Sequence, residues 1–404
     1  MHVALLHPLG MRGIGRYTHN LANAVAPRVD RCSLLTSSRF ELRDLPRAYR
    51  WEPLFHLWDV GARDNRSLTP GERLLRPAER ITRFLRYDRS YRRATAWVRR
   101  ERPSVIHTQE ILFWWEARHL LRMGTDGTRL VITCHNVEDL GSRAGEEGGD
   151  SSWMRRSMDR LYTRAAAVIV HGAANREDFI RLYPEAAEKV WVVPHGCEPP
   201  PDPNPEARAR GRRRWGVGDD EILAVNFGEV KPYKGLETLI DAAGLLAAGN
   251  APVRIVVAGL PIDPAYGAAL EARRAALDAG AGRLTLDFRY IPGDEASDLL
   301  RAADLCVLTH RRAYQSGVLA LAFTHGLPAV VSDAGALGET VRETGAGVAV
   351  PAGDTASFAR EILRLASDGS ERKRMAAAAT RAASGPLSWE ESGRRTMEVY
   401  KKIL

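Results

Sequence analysis

Two closely spaced lysines, Lys231 and Lys234, lie between Gly228 and Gly235 in the segment FGEVKPYKG. The segment follows a β-rich run and precedes an amphipathic one, so it is predicted to be a strand-to-helix loop, where open parallel sheets bind ligands. Two ammonium groups on such a loop would stabilise the negative charge that grows on a departing diphosphate. A solvated surface loop, which Pro232 would also produce, is the alternative interpretation.

A second feature suited to an anion begins at Ser316-Gly317 in YQSGVLALAFTHGLPAVVSD. These two small residues open an apolar helical stretch that ends at Gly326 and continues into a buried strand. Backbone N–H groups at a helix start can point at an anion, and the helix dipole favours negative charge there. The stretch has no carboxylate from Ala313 to Phe323.

The first half of the chain places glycines and histidines after β-rich runs. Gly13 and Gly15 in PLGMRGIGR allow a tight turn and close approach of a ligand, although their spacing is not GxGxxG and a simple turn is the alternative. His135-Asn136 and His195-Gly196 each follow a predicted strand. Single histidines are more often structural, but the strand-end position favours a hydrogen bond from His135 to a substrate hydroxyl.

The composition is that of a globular protein with anionic partners. The chain has 404 residues, 45% of them hydrophobic and 27% charged, and a net charge of +8. This length predicts two domains, and the charge suits nucleotides, lipid head groups or nucleic acid. The four cysteines are far apart, so we expect a reduced cytosolic protein without a metal site. Neither a signal peptide nor a membrane-spanning run is predicted.

Short apolar β-rich runs alternate with helical segments in both halves, which is typical of parallel, doubly wound sheets. Predicted strands lie in 2–8, 104–109, 130–136, 167–171 and 190–194, and then in 222–230, 254–259, 284–291, 305–310 and 329–332. The proline-rich segment 197–217 is predicted to be a linker. We therefore predict an α/β fold with two Rossmann-like domains, 1–200 and 201–387, whose parallel sheets face across a cleft.

A closing helix is predicted over 388–404. Ser388 and Glu391 form a capping-box pattern at its start. This helix could pack back on the first domain or dock on the second.

The stretch from Glu41 to Arg102 departs from the alternation, and no strand is predicted in it. It carries many arginines, and its apolar residues at helical spacing include Leu75, Ile81, Phe84, Leu85, Tyr91 and Trp97. A basic amphipathic helix can lie on an anionic membrane surface. The alternative is a helical insertion whose apolar face packs on the first domain while its arginines face water. Nucleic-acid binding is not expected, because no reading motif accompanies the charge.

These segments together resemble the GT-B glycosyltransferases of family 4 (glycosyl transferases group 1), in particular the subset without the paired glutamates of the E-x7-E motif. The matching segments are the loop from Gly228 to Gly235, GLPAVVSDAGALGETV, GAGVAVPAGD, VVPHGCE and RGIGRYTHNLANAV. The resemblance spans nearly the whole chain. It implies a GT-B fold and a hexosyl- or related glycosyltransferase that moves a sugar from a UDP- or GDP-linked donor to an acceptor hydroxyl, with retention and without a metal.

The resemblance also implies roles for individual residues. Lys234 corresponds to a lysine on the donor diphosphate and His135 to a histidine on the donor sugar, and Gly13 to Gly15 form the loop that closes over both substrates. The predicted catalytic residues are His135, Lys231 and Lys234. The predicted donor-binding residues are Gly13, Gly15, Gly228, Lys231, Lys234, Tyr290, Gln315, Ser316, Gly317, Val318 and Leu321. The predicted acceptor-binding residues are Arg12, Asn136 and His195.

The sequence departs from the family pattern in two places. Glu229 stands where the family usually has arginine, so Lys231 is expected to supply the positive charge. The family's two glutamates fall on Ala313 and Leu321, so Gln315 is expected to supply a polar contact instead.

Other functions stay open at this point. One is a catalytically silent GT-B scaffold that acts as a binding or regulatory protein, and another is an epimerase or phosphorolytic enzyme. The expected partners are a nucleotide-sugar, as co-substrate rather than cofactor, and a small-molecule, glycan or lipid-linked acceptor, with no nucleic acid. The expected location is the cytoplasm, including peripheral contact with an anionic membrane.

Overall fold

The computed structural model describes residues 1–56, 70–125, 127–137, 151–277 and 281–404, with the backbone alone described at 70–80, 151–152 and 281. Residues 57–69 of the predicted basic insertion therefore lie outside the described residues. At Leu75 only the backbone is described. The chain divides into two compact units.

The first unit comprises Met1–Val170, Arg176–Val193 and Ser392–Leu404. Its seven-stranded sheet is entirely parallel and has the order β3-β2-β1-β4-β5-β6-β7. The strands are β1 His2–His7, β2 Arg31–Ser37, β3 Arg50–Phe55, β4 Val105–Thr108, β5 Arg129–Thr133, β6 Ala167–Val170 and β7 Val190–Val192. The helices are α1 Arg12–Val25, α2 Pro70–Glu101, α3 Ala117–Met123, α4 Ser151–Arg164 and α5 Ala173–Leu182.

The second unit comprises His171–Asn175, at the start of α5, and Pro194–Glu391. Its six-stranded parallel sheet has the order β10-β9-β8-β11-β12-β13. The strands are β8 Ile222–Phe227, β9 Val253–Ala258, β10 Leu284–Asp287, β11 Leu305–Leu308, β12 Ala329–Ser332 and β13 Gly347–Val350. The helices are α6 Pro205–Arg214, α7 Leu236–Ala248, α8 Pro264–Ala275, α9 Gly293–Ala302, α10 Gly317–Thr324, α11 Ala336–Thr344, α12 Thr355–Ser367 and α13 Gly369–Ser384.

The central strands of each sheet are buried on both faces, and this explains why they are continuous apolar runs rather than alternating ones. In β1, every residue from Val3 to His7 is buried, and all four residues of β6, β11 and β12 are buried. The predicted fold class, two Rossmann-like domains with parallel sheets, is confirmed. No helix in the described part of the chain is both long enough and apolar enough to cross a membrane.

The prediction that no strand lies between Glu41 and Arg102 is wrong. Strand β3 pairs in parallel with β2 and forms the edge of the first sheet. Its residues are mostly partly exposed, and Pro53, which cannot donate to a neighbouring strand, is tolerated at an edge. An edge strand lacks the fully apolar pattern on which the prediction depended.

The predicted linker 197–217 contains a helix, α6, which the proline cluster had argued against. Pro205 occupies its first turn, where proline is tolerated, and Asn204 caps it by accepting a hydrogen bond from the Ala207 N–H at 2.9 Å. A Cβ on Gly211 would lie 2.3 Å from the Asp298 carbonyl oxygen, so glycine permits close packing on α9.

The closing helix is α14, Trp389–Ile403, which begins directly after Ser388. The Ser388 Oγ accepts a hydrogen bond from the Glu391 N–H at 3.2 Å. From Ser392 onward the helix belongs to the first unit, where the Tyr400 hydroxyl lies 2.6 Å from Nδ1 of His107.

Candidate functional site

The loop after β8 brings Gly228, Lys234 and Val318 together in the second unit. Gly228 has a φ of +98°, and a Cβ there would lie 3.4 Å from both the Lys234 Nζ and the Val318 Cγ2. Glycine therefore keeps open the small space between the ammonium group and the start of α10.

Lys234 is a buried cation without an ion-pair partner among the described residues. Its side chain is 5% exposed, and its Nζ makes one long contact, 3.5 Å to the Phe227 carbonyl oxygen. No ion pair of Lys234 occurs within the described residues. Burial, and to a lesser degree the charge of Lys231, lowers the pKa of Lys234 to about 8. An anion at this ammonium would offset the cost of burying it.

Lys231 has a different environment. Its Nζ lies 2.9 Å from Oε2 of Glu229, and both side chains are about one-third exposed. Glu229 therefore balances the charge that Lys231 was expected to supply in place of the family arginine. Of the two lysines, Lys234 carries the uncompensated charge.

The start of α10 supplies backbone donors next to this ammonium. Ser316 is the N-cap residue, and its Oγ accepts a hydrogen bond from the Leu319 N–H at 3.1 Å. The first N–H groups of a helix have no acceptor within the helix, so those of Gly317 and Val318 can point at an anion. Because Val318 also lines the space beside Gly228, these donors and the Lys234 ammonium belong to one site.

The neighbouring strand end holds the lysine loop in place. A Cβ on Gly235, whose φ is +60°, would lie 2.5 Å from the Thr309 carbonyl oxygen. The Thr309 Oγ1 donates a hydrogen bond to the Lys234 carbonyl oxygen at 2.9 Å. These contacts fix the loop backbone against the carboxyl end of β11.

His310, which follows Thr309, was not predicted as a site residue. It is 3% exposed, and its Nδ1 is buried without a hydrogen-bond partner in the described structure. Burial, and then the charge of Lys234, lowers the pKa of His310 to about 3, so the imidazole is neutral. Its position directly after a buried strand was the sequence signal that could have identified it.

A small cleft in the second unit adjoins the start of α10, and its lining includes His171, His195, Gln315 and Ser316. The Oε1 atom of Gln315 is buried and has no hydrogen-bond partner among the described residues. The Nε2 of His195 lies 3.9 Å from where a Cβ on Gly317 would be. Burial lowers the pKa of His195 to about 4. The structure thus places His195, predicted for the acceptor, beside predicted donor residues.

Three other residues of the second unit were singled out. Ala313 is buried, and Leu321 packs against the apolar core, so the two positions that carry glutamates in the family face an apolar environment. Tyr290 is 74% exposed, and no described hydrogen bond or ring contact joins it to the lysine loop.

The predicted residues of the first unit lie at the carboxyl ends of β1 and β5. Arg12 begins α1 with a φ of +60°, and its N–H donates to Oε2 of Glu41 at 2.9 Å. A Cβ on Gly15 would lie 3.0 Å from the Gly10 carbonyl carbon, whereas a Cβ on Gly13 would meet nothing within 4 Å.

His135 and Asn136 differ in exposure. The His135 ring is 5% exposed and meets the Tyr17 ring edge to face, with centroids 4.6 Å apart. Asn136 is exposed. Because its ring packs against Tyr17, His135 also contributes to the packing of the first unit.

A histidine–carboxylate pair at the same sheet edge was missed. Nε2 of His7, at the end of β1, lies 3.0 Å from Oε2 of Glu110, which follows β4. Nδ1 of His7 accepts a hydrogen bond from the Gly10 N–H at 3.2 Å. The two side chains meet because β1 and β4 are neighbours in the sheet, which the sequence order does not reveal.

Two family models match most of the chain. Residues 11–199 match "Glycosyltransferase Family 4", and residues 221–368 match "Glycosyl transferases group 1". Within the described residues, no group of three histidine, cysteine or acidic side chains is placed to hold a metal ion.

Named relatives and solved structures are similar to the chain at low identity. A D-inositol 3-phosphate glycosyltransferase of Thermomonospora curvata is 26% identical over 68% of this chain, and the match spans 66% of that protein. One of the same name from Acidothermus cellulolyticus is 25% identical over 97% of this chain and 86% of its own length. The HepE protein of Anabaena with UDP-glucose has a TM-score of 0.73 at 18% identity, with 100% of both chains covered. Sucrose-phosphate synthase of Thermosynechococcus elongatus has a TM-score of 0.72 at 18% identity, with 100% of this chain and 99% of that one covered.

The solved structures show the shared fold, and the family models cover both halves of the chain. The protein with the buried, unpaired Lys234 therefore belongs to glycosyltransferase family 4, the glycosyl transferases group 1.

Proposed function

We propose that the protein transfers a sugar from a nucleoside-diphosphate donor to an acceptor hydroxyl, with retention of configuration and without a metal ion. The observation that carries the proposal is the buried ammonium of Lys234, which lacks a carboxylate partner and lies beside the Gly228 gap and Val318 at the start of α10. Relatives named D-inositol 3-phosphate glycosyltransferase, and a similar fold solved with UDP-glucose, support a nucleotide-sugar donor.

The site would act mainly by stabilising the leaving group. As the bond from the sugar to the diphosphate breaks, negative charge grows on a phosphate oxygen. The Lys234 ammonium and the N–H groups of Gly317 and Val318 would already point at that oxygen, so little reorganisation would be needed. Because no enzyme nucleophile is proposed, retention would require the acceptor to attack from the face that the diphosphate leaves, and the departing phosphate would then take the acceptor proton.

The sugar would be held without the paired glutamates. Gln315 presents a buried oxygen that can accept a hydrogen bond from a sugar hydroxyl, and His195 adds a neutral imidazole. His135, Arg12 and Asn136 of the first unit are proposed for the sugar and the acceptor. The acceptor is proposed to be a small molecule, a glycan or a lipid-linked molecule, and the assay described next distinguishes these classes.

A transfer assay with UDP-, GDP- and ADP-linked glucose and a panel of acceptors tests the proposal. We expect sugar transfer and nucleoside-diphosphate release that persist in the presence of a chelator, with an α-linked product from an α-linked donor. Tight binding of a nucleoside diphosphate without turnover on any acceptor would instead support a catalytically silent scaffold. Sugar conversion without an acceptor-linked product would support an epimerase or phosphorolytic enzyme.

We further propose that the protein works in the cytoplasm in peripheral contact with an anionic membrane. The four cysteines are all buried and free, which suits a reducing compartment. On α2, Ile81 is 60% exposed and Leu85 is 58% exposed, among exposed arginines. Ile81→Ser/Leu85→Ser should reduce co-sedimentation with anionic vesicles, whereas Leu363→Ser, at an exposed leucine of α12, should not. Equal retention of both variants would contradict this contact.

A further inference from the structure

A basic groove lies in the first unit and is lined by His56, Arg86, Arg89, Ser90 and Arg93. None of these residues belongs to the predicted donor or acceptor site. Within the described residues, its lining contains three guanidinium groups and no carboxylate.

The three arginines occupy one face of α2, because residues three and four positions apart are neighbours on a helix. All three are exposed. Their guanidinium groups form no ion pair or hydrogen bond with any part of the chain that the structure describes. Like charges brought together in this way repel one another unless an anion lies between them.

The acid nearest to them along the helix is already neutralised. Asp88 is 5% exposed, and its carboxylate contacts Arg92 at 2.7 Å, Arg118 at 2.5 Å and His119 at 2.8 Å. It is also the only acid between Ile81 and Arg100 in the sequence. Among the described side chains of α2, Asp88 therefore leaves the positive charge of the groove unbalanced.

The floor of the groove is fixed by hydrogen bonds to the sheet edge. Nδ1 of His56, just after β3, lies 3.3 Å from Oγ of Ser38, just after β2. The His56 N–H donates to Oγ of Ser90 at 3.3 Å, and that hydroxyl donates to the Arg86 carbonyl oxygen at 3.0 Å. The groove thus lies at the carboxyl edge of the first sheet, where parallel sheets bind ligands.

We infer that this groove binds a phosphate group. The paired N–H donors of an arginine guanidinium group match the spacing of phosphate oxygens. Three guanidinium groups together offer more donors than a single carboxylate could accept. The phosphate could belong to a membrane lipid head group or to a water-soluble phosphorylated molecule. The row Ile81, Leu85, Arg89 and Arg93 passes from exposed apolar side chains to cationic ones, which is the order expected where a helix meets a lipid surface.

Two probes and two matched double variants test the inference. The probes are glycerol 3-phosphate, followed by calorimetry, and phosphatidylcholine vesicles with or without phosphatidylglycerol, followed by co-sedimentation. Arg89→Gln/Arg93→Gln removes two groove charges. Arg99→Gln/Arg100→Gln removes the same charge from the exposed end of the same helix and serves as the control.

We expect the groove variant to bind at least one probe about tenfold more weakly, with the control within about twofold of the parent protein. Loss on phosphatidylglycerol vesicles alone would assign the phosphate to a lipid, and loss on glycerol 3-phosphate alone would assign it to a soluble ligand. Equal losses in both variants, or no phosphate-dependent binding by the parent protein, would overturn the inference. Nucleoside-diphosphate binding should be unchanged in the groove variant, so this test is independent of the proposed sugar transfer.

Discussion

At the scale of single residues, the two lysines of the loop after β8 have unequal roles. Lys231 has Glu229 as a partner, whereas the Lys234 ammonium is buried with one long contact to a carbonyl oxygen. A charge that is already paired gains little from a second anion, but a buried unpaired charge gains much. Donor affinity should therefore depend mainly on Lys234.

Lys234→Ala is expected to weaken nucleoside-diphosphate binding by about 1.5–3 kcal/mol, the value of a hydrogen bond to a charged group. Lys231→Ala should cost less than about 1 kcal/mol, because its charge is exposed and balanced. Calorimetry on both variants measures the difference. Equal losses would mean that the diphosphate does not reach the buried ammonium.

The lowered pKa of Lys234, about 8, predicts a pH dependence of donor binding. Above this pKa the unliganded protein loses the ammonium proton, so a nucleoside diphosphate must recover it on binding, and its affinity should fall as the pH rises from 8 to 10. The nucleotide's own phosphate ionises near pH 6 and does not interfere. Proton uptake, measured by calorimetry in buffers of different ionisation enthalpy, should be largest above pH 8. It should be absent from Lys234→Ala.

Sequence reasoning placed Lys234 in the loop after a strand and Ser316 at a helix start, because a strand-to-helix loop can be recognised from pattern alone. Their roles in donor binding stay predictions. It missed the pairing of Lys231 with Glu229, because that pairing depends on which way the side chains turn in the folded loop. It also passed over His310, although this residue lies at the end of a predicted strand. It assigned His195 to the acceptor from its position in the chain. The structure groups the residues from Pro194 onward with the second unit, and the acceptor role of His195 stays a prediction.

At the scale of elements, the cap of α10 links stability to the site. Ser316→Ala removes the hydrogen bond from the Leu319 N–H and should cost about 1 kcal/mol of unfolding free energy. Asn204→Ala removes the equivalent cap of α6 and should cost a similar amount. Only Ser316→Ala should also weaken nucleoside-diphosphate binding. If both variants bound the nucleotide normally, the start of α10 would not hold the diphosphate.

The start of α1 offers a matched pair of glycines. Gly15→Ala would place a Cβ 3.0 Å from backbone at Gly10 and should destabilise the protein by about 1–3 kcal/mol. Gly13→Ala meets nothing within 4 Å and should be neutral or slightly stabilising. Thermal unfolding compares them. A loss of transfer in a stable Gly13→Ala variant would support a substrate role for this first turn of α1, where the sequence had predicted a loop. Equal melting temperatures would contradict the packing argument.

The elements that the sequence did not predict share a physical cause. Strand β3 is an edge strand with a proline and partial exposure, and α6 is a short arginine-rich helix without an apolar stripe. Both depend on contacts with other elements, namely β2 for the strand and α9 for the helix. The spacing of apolar residues along a sequence indicates which helix or strand faces are fully buried. It therefore detects the central strands of each sheet and overlooks β3 and α6.

At the scale of the whole molecule, the chain returns to its first unit after completing the second. The residues from Ser392 to Leu404 belong to the unit that contains the N-terminal sheet. A Cβ on Gly393 would lie 2.8 Å from that of Ala24, and Tyr400 is fully buried. The last helix is therefore part of the first unit's core, and the stability of that unit should depend on residues distant in sequence.

Tyr400→Phe tests this dependence. The substitution removes the hydrogen bond between the Tyr400 hydroxyl and Nδ1 of His107, whose Nε2 lies 2.7 Å from the Thr133 Oγ1. Losing a buried hydrogen bond should cost about 1–3 kcal/mol. Tyr290→Phe, on a side chain that is 74% exposed, is the control and should be neutral. Hydrogen exchange can assign the loss to a unit, because amides of β4 and β5 should lose protection while those of β8 and β11 keep theirs. Uniform loss across both sheets would mean that the two units unfold together, and no loss would mean that this bond does not stabilise the first unit.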